Sequence, residues 1–150
     1  MTSVVPIKGL DLAEQFFVEK GLPRLQGAFP DLLDRLAAGL VGDGSECFGY
    51  DDEISRDHDW GPEFIVWLTE GDHREKGAEV NALLASLPDT YLGFGPRRTS
   101  TWGEGRTGAV SIDVFYQRFL GIADAPQELS DWLMLPENLL AACTNGRVFH

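Results

Sequence analysis

An α+β fold, mixed in its order of helices and strands, follows from three features of the 150-residue chain. Apolar residues recur at helical spacing near Leu10 and again from Val80 to Leu87. Phe64-Ile65-Val66-Trp67-Leu68 is a short, continuous apolar run of the kind a strand covered on both faces shows. A second run of strand chemistry begins at Val110. Hydrophobic residues make up 43% of the chain and 16 are aromatic (9 Phe, 4 Trp, 3 Tyr), so one compact domain over residues 1–150 has enough apolar surface for a core.

Leu10, Leu12, Ala13, Phe16 and Phe17 define an amphipathic first helix, with Glu14, Glu19 and Lys20 for its wet face and Pro23 to bend or end it. Pro30 suits a first helical turn, Asp31 favours its positive end, and Leu32, Leu33, Leu36 and Leu40 form one stripe that Gly39 would stop. Val41 then feeds the Gly42-Asp43-Gly44-Ser45 turn, after which Ser45 or Glu46 opens a short helix. Tyr50 to Arg56 reads as an acidic connector, and the chain turns extended from Asp57 into the central strand. Asp72 to Glu75 reads as an N-cap with its capping-box glutamate, followed by the Val80, Leu83, Leu84, Leu87 stripe and Pro88. Gly93 to Gly108 is a glycine-rich loop or hairpin carrying Arg97, Arg98 and Arg106. Val110 to Tyr116 is a strand with one carboxylate, Asp113; short helices follow around Gln127 to Met134 and from Pro136-Glu137, and a last strand begins at Arg147.

A net charge of −12, from 24 acidic and 12 basic residues, disfavours nonspecific attraction to nucleic acid or anionic lipid. The apolar runs are too short to cross a bilayer, and Pro6, Lys8 and Asp11 break any signal-peptide pattern, so cytoplasm is the expected compartment. Cys47 and Cys143 form no metal or redox motif and are expected to be reduced and structural.

Gly44-Ser45, an eleven-residue gap (46 to 56) and Asp57-His58-Asp59 carry the chemistry. Without a side chain at Gly44, successive backbone N–H groups can point at one anion, and the Ser45 hydroxyl adds a donor. Asp57 and Asp59, at i and i+2 of an extended segment, face the same way and repel unless a cation lies between them. Hard oxygen ligands with positions left for phosphate and water suit Mg²⁺ or Mn²⁺.

The Gly-Ser turn, the Asp-x-Asp pair and a third carboxylate on a later strand together resemble the polymerase-beta-like nucleotidyltransferase superfamily. Gly44-Ser45-Glu46, Ser55 to Pro62, the Asp113 strand and Leu135-Pro136-Glu137 are similar to a branch designated only as a domain of unknown function, over nearly the whole chain. The resemblance implies a small mixed β-sheet flanked by helices. It also implies transfer of a nucleoside monophosphate from a nucleoside triphosphate such as ATP to an acceptor. Gly44 and Ser45 would bind the nucleotide; Asp57, Asp59 and Asp113 would be catalytic and hold two Mg²⁺ or Mn²⁺ ions. Relatives in this branch continue past the equivalent of His150 with a helical portion; if this chain is truncated there, nucleotide binding would survive without turnover.

Other readings stand beside this one. Asp57 and Asp59 also suit turn positions capping the strand, Asp113 could pair with Arg106 or Arg118, and His58 faces away from its neighbours. Trp60, Trp67, Trp102 and Trp132 suit a core or interface, and Arg97-Arg98 a solvated pair unless the loop folds over phosphate, as Arg56 could also contact it. His58-Asp59 matches the dyad of helical metal phosphohydrolases, but no histidine precedes His58 to complete that site. A nucleotide-binding or inactive relative fits the same residues, and an interaction module would use the acidic surface and the aromatics. For the acceptor, the acidic balance favours a cationic small molecule or a protein hydroxyl over a nucleic acid.

Overall fold

The computed structural model describes residues 7–50, 61–95, 107–122 and 124–150. Four strands form a mixed sheet in the order β3-β2-β1-β4: β1 is Ala37–Leu40, β2 Ile65–Leu68, β3 Gly108–Ser111 and β4 Arg147–Val148. β1 pairs antiparallel with both β2 and β4, while β3 runs parallel to β2. Six α-helices among the described residues flank the sheet: α1 Gly9–Phe16, α2 Leu22–Ala28, α3 Glu70–Ala85, α4 Ile112–Leu120, α5 Leu129–Leu133 and α6 Glu137–Thr144. The expected α+β architecture with a small mixed sheet is therefore present.

Side-chain alternation divides the core into two layers. Ala38, Val66, Leu68 and Ala109 face Leu12, Phe16, Phe17 and Val80 of the first three helices and the turns between them. Ile65, Trp67 and Val110 face Phe115, Phe119 and Leu140 of α4 and α6, with Trp67 edge-on to Phe115 at 5.5 Å between ring centroids. β2 is buried at all four positions, the central strand its apolar run predicts.

Several boundaries differ from the sequence-based expectation. Pro23 does not end the first helix: the chain passes through a π-helical turn, Phe17–Gly21, and α2 begins with Pro23 in its first turn, where a missing N–H costs little. Pro30–Arg35 is a 3₁₀ turn, and Leu40 lies in β1, so the leucines do not share one helical stripe. Gly39 stops no helix; it lies mid-strand, where a Cβ would fall on the Arg147 carbonyl oxygen and within 2.9 Å of Val148 Cα. The cap of α3 is Thr69: its hydroxyl oxygen accepts from the Asp72 N–H at 3.1 Å, and Arg35 grips the Asp72 carboxylate at 3.0 and 3.1 Å. That bidentate grip from Arg35 also lowers the Asp72 pKa.

Exposed sheet edges invite unwanted pairing. Asn81 of α3 closes the outer edge of β3, accepting from the Ala109 N–H at 2.9 Å and donating to its carbonyl at 3.4 Å. No helix among the described residues is long and apolar enough to cross a bilayer. Cys47 and Cys143 are buried and in no disulfide.

Gly39→Val should lower stability by about 2 kcal/mol or more, because overpacked cores lose roughly 1–3 kcal/mol and here a backbone strand must move; urea unfolding monitored by circular dichroism measures it. A second expectation concerns Tyr91, whose phenol is pushed up to about 12 by burial and by the neighbouring Glu19. A free phenol ionises near pH 10. Its contribution is therefore present below about pH 10 and lost as pH rises towards about 12. Tyr91→Phe should flatten the fall of the urea midpoint across that window.

Candidate phosphate-binding turn

β1 leads directly into the candidate turn. Gly42 adopts φ +143°, and its peptide is held from both sides by Asn145: the Gly42 N–H donates to Oδ1 at 3.0 Å and the Gly42 carbonyl accepts from Nδ2 at 2.8 Å. Gly44 is buried and extended, and Ser45–Phe48 form one 3₁₀ turn in which the Cys47 N–H donates to the Gly44 carbonyl at 3.0 Å. The Gly146 N–H donates to the Cys47 carbonyl at 3.2 Å, tying the far side of the turn to the start of β4. As at the start of any helical turn, the leading N–H groups have no partner within it. Among the described residues neither the Gly44 nor the Ser45 N–H donates to a backbone carbonyl, and the Ser45 hydroxyl beside them is half-exposed.

Strand direction decides which residues share this end of the sheet. Gly39 is opposite Ile65, so the chain leaves β1 where β2 begins. Gly61 and Pro62 are buried there, and a cleft of about 230 Å³ lined by Glu63, Asn81, Thr107 and Gly108 opens beside them. Arg147 begins β4 at the same end and is held by Asp11 at 2.8 Å and Glu14 at 2.6 Å, which raise its pKa and leave it committed to α1.

Asp113 does not lie at this end. Ser111, the last residue of β3, is opposite Leu68, the last of β2, and Asp113 follows in the first turn of α4. Three residue steps of about 3.3 Å separate the Ile65 and Leu68 levels, placing Asp113 at least about 10 Å beyond the end that carries Gly44 and Ser45. The expected strand over 110–116 ends at Ser111 because Phe115 and Phe119, one helical turn apart, pack against Trp67 and the α6 layer. Asp57, Asp59, Arg56, His58, Trp60, Arg97, Arg98, Trp102 and Arg106 lie outside the described residues. Among the described residues no three His, Cys, Asp or Glu side chains are grouped to hold a metal ion. Among the described candidates, Gly44 and Ser45 thus share the end where β2 begins, and Asp113 lies towards the other end.

Sequence reasoning gave neither Glu46 nor Asn145 a role at the site. Glu46, directly after Ser45, is 2% exposed, and a buried carboxylate is costly unless a donor or cation meets it. Asn145-Gly146 is a turn dipeptide whose link to Gly42 spans 103 residues, beyond any local pattern.

Searches against family models, curated proteins and solved structures find no match.

Asn145→Ala should leave the Gly42 N–H and carbonyl without their side-chain partners and cost about 1–3 kcal/mol. Equilibrium unfolding tests this, and hydrogen exchange at Gly42 should speed up in the variant.

Proposed function

We propose that this chain binds a nucleoside triphosphate with Mg²⁺ or Mn²⁺ and transfers its nucleoside monophosphate to an acceptor. The observation supporting this most directly is the pair of N–H groups at Gly44 and Ser45 that donate to no backbone carbonyl among the described residues, at the sheet end where β2 begins. Asp57 and Asp59 precede that strand in sequence by eight and six residues. In this reading Gly44 and Ser45 hold the triphosphate, and Asp57 and Asp59 hold the divalent ions. Two bound ions would orient the attacking oxygen and neutralise charge on the departing pyrophosphate. The protein's own contribution is positioning: a preformed turn, pinned by Asn145 and Gly146, presents its donors without reorganising. The net charge of −12 favours a cationic small molecule or a protein hydroxyl as acceptor, in a cytoplasmic setting.

The position of Asp113 favours a second reading, nucleotide binding without turnover. A transferase of the proposed kind uses a third carboxylate beside the Asp-x-Asp pair, and Asp113 lies at the opposite end of β2 and β3.

Calorimetric titration of ATP with Mg²⁺, with Mn²⁺ and with chelator tests both. Binding should require the metal, weaken at least about tenfold, or 1.4 kcal/mol, in Asp59→Asn, and persist in Asp113→Asn. Metal-dependent release of pyrophosphate in the presence of candidate acceptors separates transfer from binding alone. Undiminished binding in both Asp57→Asn and Asp59→Asn would locate the site elsewhere.

A further inference from the structure

We infer that the α5 face is a docking surface for an amphipathic helix of a partner protein, one whose apolar ridge is flanked by lysine or arginine. Leu129, Leu133 and Met134 are 74%, 76% and 82% exposed, and Trp132 is 46% exposed beside them. Four large apolar side chains within six consecutive residues, all turned to solvent, form a contiguous apolar surface of the kind that marks interaction sites. α5 begins with a reciprocal capping box in which the Glu128 side chain and N–H exchange hydrogen bonds with the N–H and side chain of Asp131.

Its rim carries one sign of charge. Asp124, Glu128, Asp131 and Glu137 are exposed around it, and no lysine or arginine occurs between Arg118 and Arg147. A groove of about 580 Å³ runs alongside, with Leu120, Ile122, Met134 and Leu135 on its walls and Asp124 and Asp131 at its polar positions. Such a groove suits a long cationic side chain, its stem against the apolar walls and its head at a carboxylate. Charge also selects among occupants: a second copy docking through the same patch would set four carboxylates against four, and anionic lipid or nucleic acid would meet the same repulsion. A basic amphipathic helix satisfies both the ridge and the rim, and the flexible Met134 side chain adapts to its details.

The test uses a designed helix of about 18 residues, long enough to hold helical structure, with leucines at i, i+3, i+4 and i+7 and lysines elsewhere. Its control replaces every lysine with glutamate. Fluorescence anisotropy at physiological salt should show saturable binding of the Leu/Lys helix and none of the Leu/Glu helix. Binding should fall at least tenfold in Leu133→Ser/Met134→Ser and also in Asp124→Asn/Glu137→Gln. All four positions are exposed, so both variants should keep the wild-type circular dichroism spectrum. Failure of the Leu/Lys helix to bind, undiminished binding by either double variant, or equal binding of the Leu/Glu helix would overturn the proposal. A wild-type dimer in sedimentation that Leu133→Ser/Met134→Ser abolishes would likewise overturn it and assign the face to a second copy.

Discussion

The close approach of β4 to β1 is the constraint on which the rest of the structure depends. Gly39 leaves room for the Arg147 carbonyl and Val148, and Gly146, at φ +73°, passes where any Cβ would strike the Leu40 carbonyl oxygen. With both glycines in place the last residues of the chain add to the sheet, and the Phe149 N–H donates to the Ala38 carbonyl at 2.7 Å. The same segment pins Gly42 through Asn145 and reaches α1 through Arg147. The Arg147 pairs are half exposed, so solvent screening leaves them worth about 1 kcal/mol or less each. Their value is geometric: they set where α1 lies relative to the turn after β1.

The two layers over the sheet have different characters. The first three helices cover their face with a continuous aromatic and aliphatic cluster in which Phe17 meets Phe64 edge-on at 5.1 Å between centroids. The α4 and α6 layer is smaller, centred on Trp67 and Phe115, and beyond it α5 is exposed at every position. Two asparagines perform equivalent tasks on opposite sides of this framework. Asn81 and Asn145 each offer a side-chain amide to the N–H and carbonyl of one residue, Ala109 and Gly42, as a neighbouring strand would. A side chain thereby completes backbone pairing at the outer edge of β3 and just past the end of β1.

Strand direction decides which sheet end each candidate residue occupies. Because β3 runs parallel to β2, whatever follows β3 lies away from the start of β2. The Gly44-Ser45 turn follows an antiparallel neighbour and so lies at that start. Asp113, chemically suited to join a metal site, is separated from the turn by strand direction rather than by residue type.

Local chemistry made much of the fold legible in the sequence alone. The Phe64 to Leu68 run announced the central strand, the helical spacing from Leu10 announced α1, Pro136-Glu137 opened α6 and Ser45 opened its short turn. Each depends on neighbours a few residues away, which periodicity and turn chemistry capture. Tertiary structure alone decided the rest. Gly39 reads as a helix stop until β4 is seen crowding it, Asp113 reads as a strand residue until Phe115 and Phe119 are seen packing as a helix, and Asn145 carries no signal until it meets Gly42. The sequence by itself determined the central strand, the first helix and the short helix openings, where the signal lies within a few residues. Only the folded chain decided which candidate residues share an end of the sheet, because that depends on strand direction and on contacts between residues about a hundred positions apart.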